Sequence, residues 1–328
     1  MTTRRLLPLF IIILAMAACN MPTDISQPTD VPVQDSPTTV IIIDPTDEPP
    51  LATVTPIPST IALTQEQLQN AEVKITGVLG ESPNRVVKLT NGSFESGDDP
   101  TSTDYANVNM GQQVAFGDLN GDGTQDAAII IGENYGGTGV FVSVVAMLNQ
   151  NGQPVYASSF GVDDRPIINS LTIQNGEILL DATTHRPNDP GCCPNQPMTL
   201  GLRLWGGQLV QTQRVTKLPD NVTERIIKID SPADGSELSG SFTLSGSVTI
   251  APFENNLSYK VFLKGATEPV IQAGTMVNAT EMGGPGTFSL PINLTESGIH
   301  GNVRIEISDL SAADGSYLAV DTLFLTIK

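Results

Sequence analysis

The sequence predicts a mainly β protein, in which an α+β or all-β middle domain and a C-terminal β-sandwich follow a disordered tether. Three observations predict this fold class. Short apolar runs repeatedly end in turn dipeptides such as Asn151-Gly152 and Asn175-Gly176, which is typical of antiparallel hairpins. Residues 20–62 hold nine prolines, and residues 224–328 hold seven short strand candidates. The 328 residues suffice for two domains by the soft prior of ~100–200 residues each.

The N-terminal residues have the pattern of a secretory signal. Arg4 and Arg5 precede an apolar run over residues 6–18, which ends in small residues before Cys19. This run of about 13 residues is shorter than the ~20 that a helix needs to span a bilayer. The pattern therefore predicts an exported chain.

The end of the apolar run, Met16-Ala17-Ala18-Cys19, resembles a bacterial lipobox, with Met16 where the family usually has Leu. The resemblance implies that residues 1–18 are a lipoprotein signal peptide and that Cys19 becomes lipid-modified. The protein would then be extracytoplasmic and lipid-anchored to the bacterial cell membrane. An ordinary signal peptide, with Cys19 unmodified, is the alternative.

Residues 19–62 are predicted to be a lipid-anchored linker rich in Pro, Thr and Asp. The segment 20–62 holds eight threonines and six acids but no Lys or Arg. Proline fixes φ and removes backbone donors, so the segment is expected to be an extended, disordered spacer that lifts a folded head off the membrane. The apolar stretch Val40-Ile41-Ile42-Ile43 is the exception, because it could instead pair as an edge strand.

The charge balance argues against nucleic acid as a partner. The chain has 35 acidic and 16 basic residues, a formal charge of −19. Affinity for a duplex rests largely on Lys and Arg that neutralise phosphates. We therefore expect no nucleic-acid partner.

Residues 63–216 are predicted to form one mostly β domain. Thr64 is a good N-cap for a short helix over 65–71, and strands with turns follow it. The continuous apolar runs at 127–131 and 140–148 predict strands covered on both faces. Between Gly117 and about Leu209 the chain holds the loop Asp118-Leu119-Asn120-Gly121-Asp122-Gly123, Asn-Gly turns, Asp164-Arg165 and the run Asn188-Asp189-Pro190-Gly191-Cys192-Cys193-Pro194. With these features the region resembles a bacterial extracytoplasmic module of uncharacterised function, which implies no activity.

The loop between two of these strands has the spacing of a calcium site. In Asp118-Leu119-Asn120-Gly121-Asp122-Gly123-Thr124-Gln125-Asp126, the side chains at positions 1, 3, 5 and 9 are Asp118, Asn120, Asp122 and Asp126. Ca²⁺ prefers six or more oxygen ligands, and the carbonyl of Thr124 would supply position 7. Position 12 is Ile129 rather than the Glu of an EF-hand, so an EF-hand is excluded.

With Phe116-Gly117 before it and an apolar strand after it, this segment resembles the calcium loop of FG-GAP repeats. The resemblance covers about 16 residues in a single copy, so it implies a loop and not a propeller. It implies a structural Ca²⁺ held by the positions just named. The alternative is an Asp/Asn/Gly-rich hairpin turn that binds nothing.

Cys192 and Cys193 are the remaining cysteines once Cys19 is acylated. Adjacent Cα atoms lie ~3.8 Å apart, below the ~4.4–6.8 Å usual for disulfides, yet an exported protein meets an oxidising compartment. A vicinal disulfide is therefore favoured over reduced thiols. A metal site with His185 fits no zinc spacing, and a thiol-protease set of Cys192, His185 and Asp189 lacks any sign of an activated cysteine.

Residues 224–328 have the strand count of an immunoglobulin-like sandwich. The segments Ile229-Asp230-Ser231-Pro232-Ala233-Asp234-Gly235, Leu244-Ser245-Gly246-Ser247-Val248 and Phe253-Glu254-Asn255-Asn256-Leu257 appear in the order seen in the immunoglobulin-like domain of bacterial spore germination. This resemblance spans nearly the whole domain. It implies a module found in many lipoproteins and does not imply sporulation.

Two functional hypotheses follow. The first is a surface-displayed lipoprotein that acts as a non-catalytic binding or envelope-structural module, is stabilised by calcium, and recognises an unknown protein or glycan. The second is an extracellular hydrolase of envelope or environmental glycans, which would need paired carboxylates across a cleft. Calcium binding explains the acids of the calcium-type loop better than catalysis does, and the pairs Asp98-Asp99 and Asp163-Asp164 are expected in turns. We therefore expect that the protein is not an enzyme.

Overall fold

The structure, a computed structural model, describes residues 61–75 and 85–328. These residues lie within one compact unit that extends from Ile57 to Lys328. Within the described part of the chain, no helix is long and apolar enough to cross a bilayer. The predicted signal peptide, lipidated Cys19, almost all of the tether and the 40–43 stretch lie outside the described residues.

The described part is almost entirely β, which confirms the predicted fold class. Its first half contains helix α1 and eleven strands. These are α1 (Gln65–Gln69), β1 (Glu72–Ile75), β2 (Arg85–Lys88), β3 (Ser93–Ser96), β4 (Ala106–Gly117), β5 (Asp126–Asn134), β6 (Phe141–Gln150), β7 (Gln153–Asp164), β8 (Ile167–Gln174), β9 (Glu177–Thr184), β10 (Gln196–Trp205) and β11 (Gln208–Lys217).

The second half contains nine strands and one 3-10 turn. These are β12 (Glu224–Arg225), β13 (Ile227–Ser231), β14 (Glu237–Leu238), β15 (Ser241–Val248), the 3-10 turn Phe253–Asn255, β16 (Asn256–Leu263), β17 (Ile271–Ala279), β18 (Gly286–Asn293), β19 (Gly301–Leu310) and β20 (Tyr317–Ile327).

The middle domain, residues 63–216, is layered around an antiparallel sheet of strands β3 to β7 in sequential order. Ile129 and Ile131 of β5 face a core with α1 and the β1–β2 hairpin. The alternate residues Ala128 and Ile130 face a second core, shared with β8 to β11. Strand β5 is therefore covered on both faces, as its continuous apolar run predicted.

Helix α1 begins where the sequence predicted and ends earlier. The Thr64 hydroxyl accepts the backbone N–H of Gln67, whose side chain accepts the backbone N–H of Thr64 in return. The helix ends at Gln69 rather than at 71, because Asn70 leaves the helical conformation with φ of −119° and ψ of 19°. The Ala71 carbonyl then accepts the N–H of Leu89. The short helix thus delivers the chain directly into β1.

Three Asn-Gly turns adopt the backbone conformation that their sequence predicts. In Asn151-Gly152, φ is 55° and then 81°, and in Asn175-Gly176 it is 51° and then 77°. Asn91-Gly92 has the same pair of positive values. Two consecutive positive φ angles define the type I′ turn, whose twist matches that of a hairpin.

Residues 224–328 fold as a β-sandwich. One layer contains β13, β15 and β18, and the other contains β16, β19 and β20, while β17 pairs with both β16 and β18. Its core includes Leu244, Leu257, Val261, Ile305 and Leu323, all buried. Apolar packing and the backbone pairing of β17 thus join the two layers, without an inter-sheet disulfide.

The sandwich is joined to the middle domain edge to edge. Strand β20 pairs with β11 through Gln213–Asp321 and Arg214–Val320, so one sheet continues from β8 through β11 into the sandwich. The Thr216 hydroxyl donates to the Leu318 carbonyl at 2.7 Å. The described residues of the two predicted domains therefore share a hydrogen-bonded sheet.

Candidate functional site

The calcium-type loop connects β4 to β5 at one end of the central sheet. Gly117 and Asp126 are paired across the two strands, so residues 118–125 form the hairpin loop. Gly121 and Gly123 both have φ near +80°. Leu119 turns inward and is buried in the second core, which fixes the base of the loop.

Three polar side chains of the loop fold back onto its own backbone. Asp118 accepts the N–H groups of Gly121 at 2.7 Å and Gly123 at 2.8 Å. Asp122 accepts the N–H of Thr124 at 2.7 Å and the side-chain amide of Asn120 at 2.9 Å. These bonds fix the side chains of Asp118, Asn120 and Asp122 against the backbone of the loop.

Asp126 is the buried member of the predicted set. One carboxylate oxygen accepts the N–H of Leu119 at 2.9 Å, and the other accepts the N–H of Asn149 at 2.8 Å. The Asn149 side chain also donates to the carbonyls of Ile61 and Gln125 and accepts the N–H of Gly152. Asp126 and Asn149 therefore tie the loop to the next hairpin and to the chain as it enters the domain.

The electrostatics of the loop reflect acids held close together. The pKa of Asp126 is raised, chiefly because its carboxyl is buried and further because Asp122 and Asp118 are negatively charged, while the N–H groups of Asn149 and Leu119 act in the opposite direction. The pKa of Asp122 is lowered, mainly by the hydrogen bond from Asn120. A cation would relieve the repulsion that Asp126 experiences.

The structure brings the predicted residues into one loop but gives them no cation geometry of its own. Within 61–75 and 85–328, no three His, Cys, Asp or Glu side chains form a group able to hold a metal ion. All four carboxylate oxygens of Asp118 and Asp126 accept backbone N–H groups, and Oδ1 of Asp118 accepts two, from Asn120 at 3.2 Å and from Gly121 at 2.7 Å. Each of the other three oxygens keeps a second lone pair. The calcium site stays a prediction.

Cys192 and Cys193 lie at the tip of an exposed loop between β9 and β10. Their Sγ atoms are bonded to each other in the structure. The N–H of Cys193 donates to the Pro190 carbonyl at 2.8 Å, which closes a tight turn. The bonded pair thus belongs to a compact, solvent-facing turn.

His185 pairs with Asp163 rather than with Asp189 or Cys192. One oxygen of Asp163 accepts the backbone N–H of His185 at 2.6 Å and lies 2.9 Å from its Nδ1 atom. Asp189 instead accepts the N–H of Arg186. The expectation that Asp163 and Asp164 lie in a turn was wrong, because both residues end strand β7.

The His185 pair could orient an imidazole but shows no nucleophile. The Nε2 atom is buried and has no hydrogen-bond partner among the described residues. General-base catalysis requires a hydroxyl, a thiol or water within hydrogen-bond reach of that nitrogen. In the described part of the chain no protein group meets this condition.

The comparisons with known proteins address the C-terminal module. A family model described as the immunoglobulin-like domain of bacterial spore germination matches residues 226–316. No curated protein and no solved structure matches the chain. The family match confirms the immunoglobulin-like prediction for this module.

Proposed function

We propose that the protein is a surface-displayed bacterial lipoprotein that acts as a non-catalytic binding or envelope-structural module. The observation that carries this proposal is the immunoglobulin-like module at residues 226–316. Small β-sandwiches of this architecture serve many cell-surface proteins as binding or spacing modules. The predicted signal peptide, Cys19 and acidic spacer would place this module outside the membrane.

The joined sheets support a display role. Because β11 pairs with β20, the middle domain and the sandwich are held by backbone hydrogen bonds rather than by a linker alone. A head built in this way presents fixed faces to a partner, which lowers the conformational cost of binding. The membrane would be one partner through the lipid anchor, and a protein or glycan the other.

Calcium would stabilise the middle domain in this proposal. The Asn120 side chain donates to Asp122, and Asp126 experiences the negative charges of Asp122 and Asp118. Carboxylate and carbonyl oxygens are the ligands that Ca²⁺ prefers. The ion would neutralise the loop and hold it closed, and the protein residues would contribute only ligands.

Two carboxylates of the middle domain that a hydrolase could draw on are already engaged within the protein. A glycosidase needs two carboxyl groups that face a substrate across a cleft. Asp126 is buried against backbone N–H groups, and Asp163 is engaged by His185. Neither carboxylate is available to a sugar in the described arrangement, which supports the non-catalytic alternative.

Lipidation is tested by metabolic labelling of cells with a fatty acid. We expect the wild-type chain to carry the label and Cys19→Ser to lose it. Cys192→Ser is the matched control, because it removes a cysteine from an exposed loop far along the chain and should keep the label. Equal labelling of the wild type and Cys19→Ser would contradict the proposal that the protein is a lipoprotein.

Binding and hydrolysis are separated with the Cys19→Ser chain and isolated bacterial envelopes. We expect the chain to sediment with the envelopes without releasing soluble saccharide. Release of saccharide that grows with time would favour the hydrolase. If the chain neither sediments with the envelopes nor releases saccharide, both functions are contradicted.

A further inference from the structure

The C-terminal module has a cleft of mixed polar and apolar lining on the face of β16 and β17 that points away from the sandwich core. The cleft has a volume of about 520 Å³, which lies in the ~300–1,000 Å³ range of small-molecule sites. Ser258 of β16 and Gly274 of β17 are paired across its floor. Leu310 and Ser311 at the end of β19 and Phe253 and Glu254 of the 3-10 turn also line it.

The floor of the cleft depends on a missing side chain. A Cβ atom on Gly274 would lie 2.7 Å from the side-chain oxygen of Asn256, closer than such contacts occur. Glycine therefore lets the Asn256 amide lie across β17. The side chains of Asn256, Ser258 and Gln272 line the cleft and have no hydrogen-bond partner among the described residues.

The rim of the cleft is an unusual backbone segment. Glu254 and Asn255 both have left-handed backbone angles, with φ of 54° and 55°. Such a conformation is uncommon outside glycine and concentrates at functional sites. It is closed by the Asn255 N–H, which donates to the Pro252 carbonyl at 2.9 Å. The turn leaves Phe253 68% exposed beside the polar floor.

The chemistry of the lining selects a class of ligand. Amides, hydroxyls and one carboxylate offer both donors and acceptors, and no Lys or Arg lines the cleft. Glu254 disfavours an anionic ligand, and the side chains of Asn256, Ser258 and Gln272 disfavour a wholly apolar one, because it would leave them without hydrogen-bond partners. A sugar ring is neutral, and it offers both hydroxyls and an apolar face. Its hydroxyls pair with amides, and its C–H face packs on an aromatic ring.

We propose that this cleft binds a neutral oligosaccharide, with Phe253 packing on a sugar ring and Asn256, Ser258 and Gln272 hydrogen-bonding its hydroxyls. The inference rests on the proposed binding function and names the ligand class for one site of it. It assigns glycan recognition to the C-terminal module rather than to the calcium-type loop.

The test uses the full chain on an array of neutral oligosaccharides, from disaccharides to hexasaccharides and including N-acetylated ones. We expect the wild type to bind at least one of them, and both Phe253→Ala and Gln272→Ala to weaken that affinity about tenfold. Met282→Ala and Asn278→Ala are the controls. Met282 is 99% exposed, and Asn278 is an exposed residue of β17 outside the cleft.

The outcomes separate this inference from the proposed function. If both cleft variants still bind the oligosaccharide, the assignment to this cleft is wrong, although the protein is still a glycan-binding protein. Envelope sedimentation without binding to any oligosaccharide on the array would overturn the glycan inference and leave a protein ligand. Circular dichroism spectra of the variants that match the wild type show that lost affinity reflects the cleft and not misfolding.

Discussion

At the scale of single residues, Asp321 of β20 is an acid whose protonation links stability to pH. Its carboxylate accepts the N–H groups of Ile229 at 2.6 Å and Thr322 at 3.0 Å. Burial raises its pKa to about 6, and the negative charges of Asp234 and Asp230 add to the rise, while the two N–H groups oppose it. The folded protein therefore holds a proton on Asp321 more tightly than the unfolded chain does.

Asp321→Asn tests this linkage. Because the pKa is raised on folding, the stability that the wild type draws from Asp321 falls as pH rises from about 4 to about 6 and stays low above that range. The shift corresponds to at most about 3 kcal/mol. We expect the unfolding free energy of the variant, relative to wild type, to grow by up to that amount between pH 4 and pH 7 in urea titrations.

Asp314 provides the control of opposite sign. Its pKa is lowered, first by the hydrogen bond from the Ser311 side chain and then by Ser316. Asp314→Asn should therefore cost stability at neutral pH and little at acidic pH. If Asp321→Asn has the same pH profile as Asp314→Asn, the assignment of a raised pKa to Asp321 is wrong.

Individual residues show where sequence reasoning stops. The spacing of Asp118, Asn120 and Asp122 placed them in one loop, because all three lie on one short stretch of chain. The partners of His185 and Asp126 lie 22 and 23 residues away in sequence. Those contacts depend on which strands become neighbours, and a single sequence shows no pattern that selects Asp163 or Asn149.

At the scale of elements, the β4–β5 loop makes a prediction about calcium. If Ca²⁺ binds the native loop alone, mass action stabilises the fold by roughly 1.4 kcal/mol at millimolar calcium and a Kd of ~10⁻⁴ M. We expect the Tm of the full chain to rise by a few degrees in calcium relative to chelator. Magnesium should do less, because it gives up its waters reluctantly.

Two variants sharpen the calcium experiment. Asp122→Ala should abolish the rise in Tm, because it removes a ligand that is exposed and not part of the core. Asp220→Ala is the control, since Asp220 accepts the N–H groups of Val222 and Thr223 in another exposed turn. It should lower the Tm yet keep the calcium response. If the wild-type Tm is equal in chelator and in calcium, the loop is a turn that binds no calcium.

Elements defined by local chemistry were predictable, and those defined by distant pairing were not. The Thr64 cap, the Asn-Gly turns and the double coverage of β5 follow from residues within one element. The two-residue strands β12 and β14 exist because they pair with β11 and β20. Two residues are too few to show the alternation of apolar and polar side chains that indicates a strand.

At the scale of the whole molecule, the contact between the β10–β11 turn and the sandwich reinforces the shared sheet. Trp205 lies beside Phe324 with ring centroids 5.6 Å apart, and Arg203 covers the same ring at 4.5 Å. The Gln208 side chain donates to the Gly265 carbonyl at 3.3 Å. The sequence indicated two separate domains, because nothing local in Trp205 or Phe324 reveals that they meet.

Gly206 and Gly207 form a matched pair that tests this contact. Both have positive φ, 61° and 82°, so alanine at either position costs about 1 kcal/mol or slightly more for the left-handed backbone. A Cβ on Gly207 would meet nothing within 4 Å, whereas one on Gly206 would lie 2.7 Å from the Gly265 Cα atom. Gly206→Ala must therefore push the turn away from the sandwich.

We expect Gly206→Ala to lose about 1–3 kcal/mol more unfolding free energy than Gly207→Ala, as is typical when a packed site is overfilled. Trp205 is the single tryptophan of the chain, so its fluorescence reports the junction directly. The emission should shift toward that of exposed indole in Gly206→Ala and stay near wild type in Gly207→Ala. Equal losses and equal spectra would mean that the turn does not pack on the sandwich, and the two domains would then be held by the β11–β20 pairing alone.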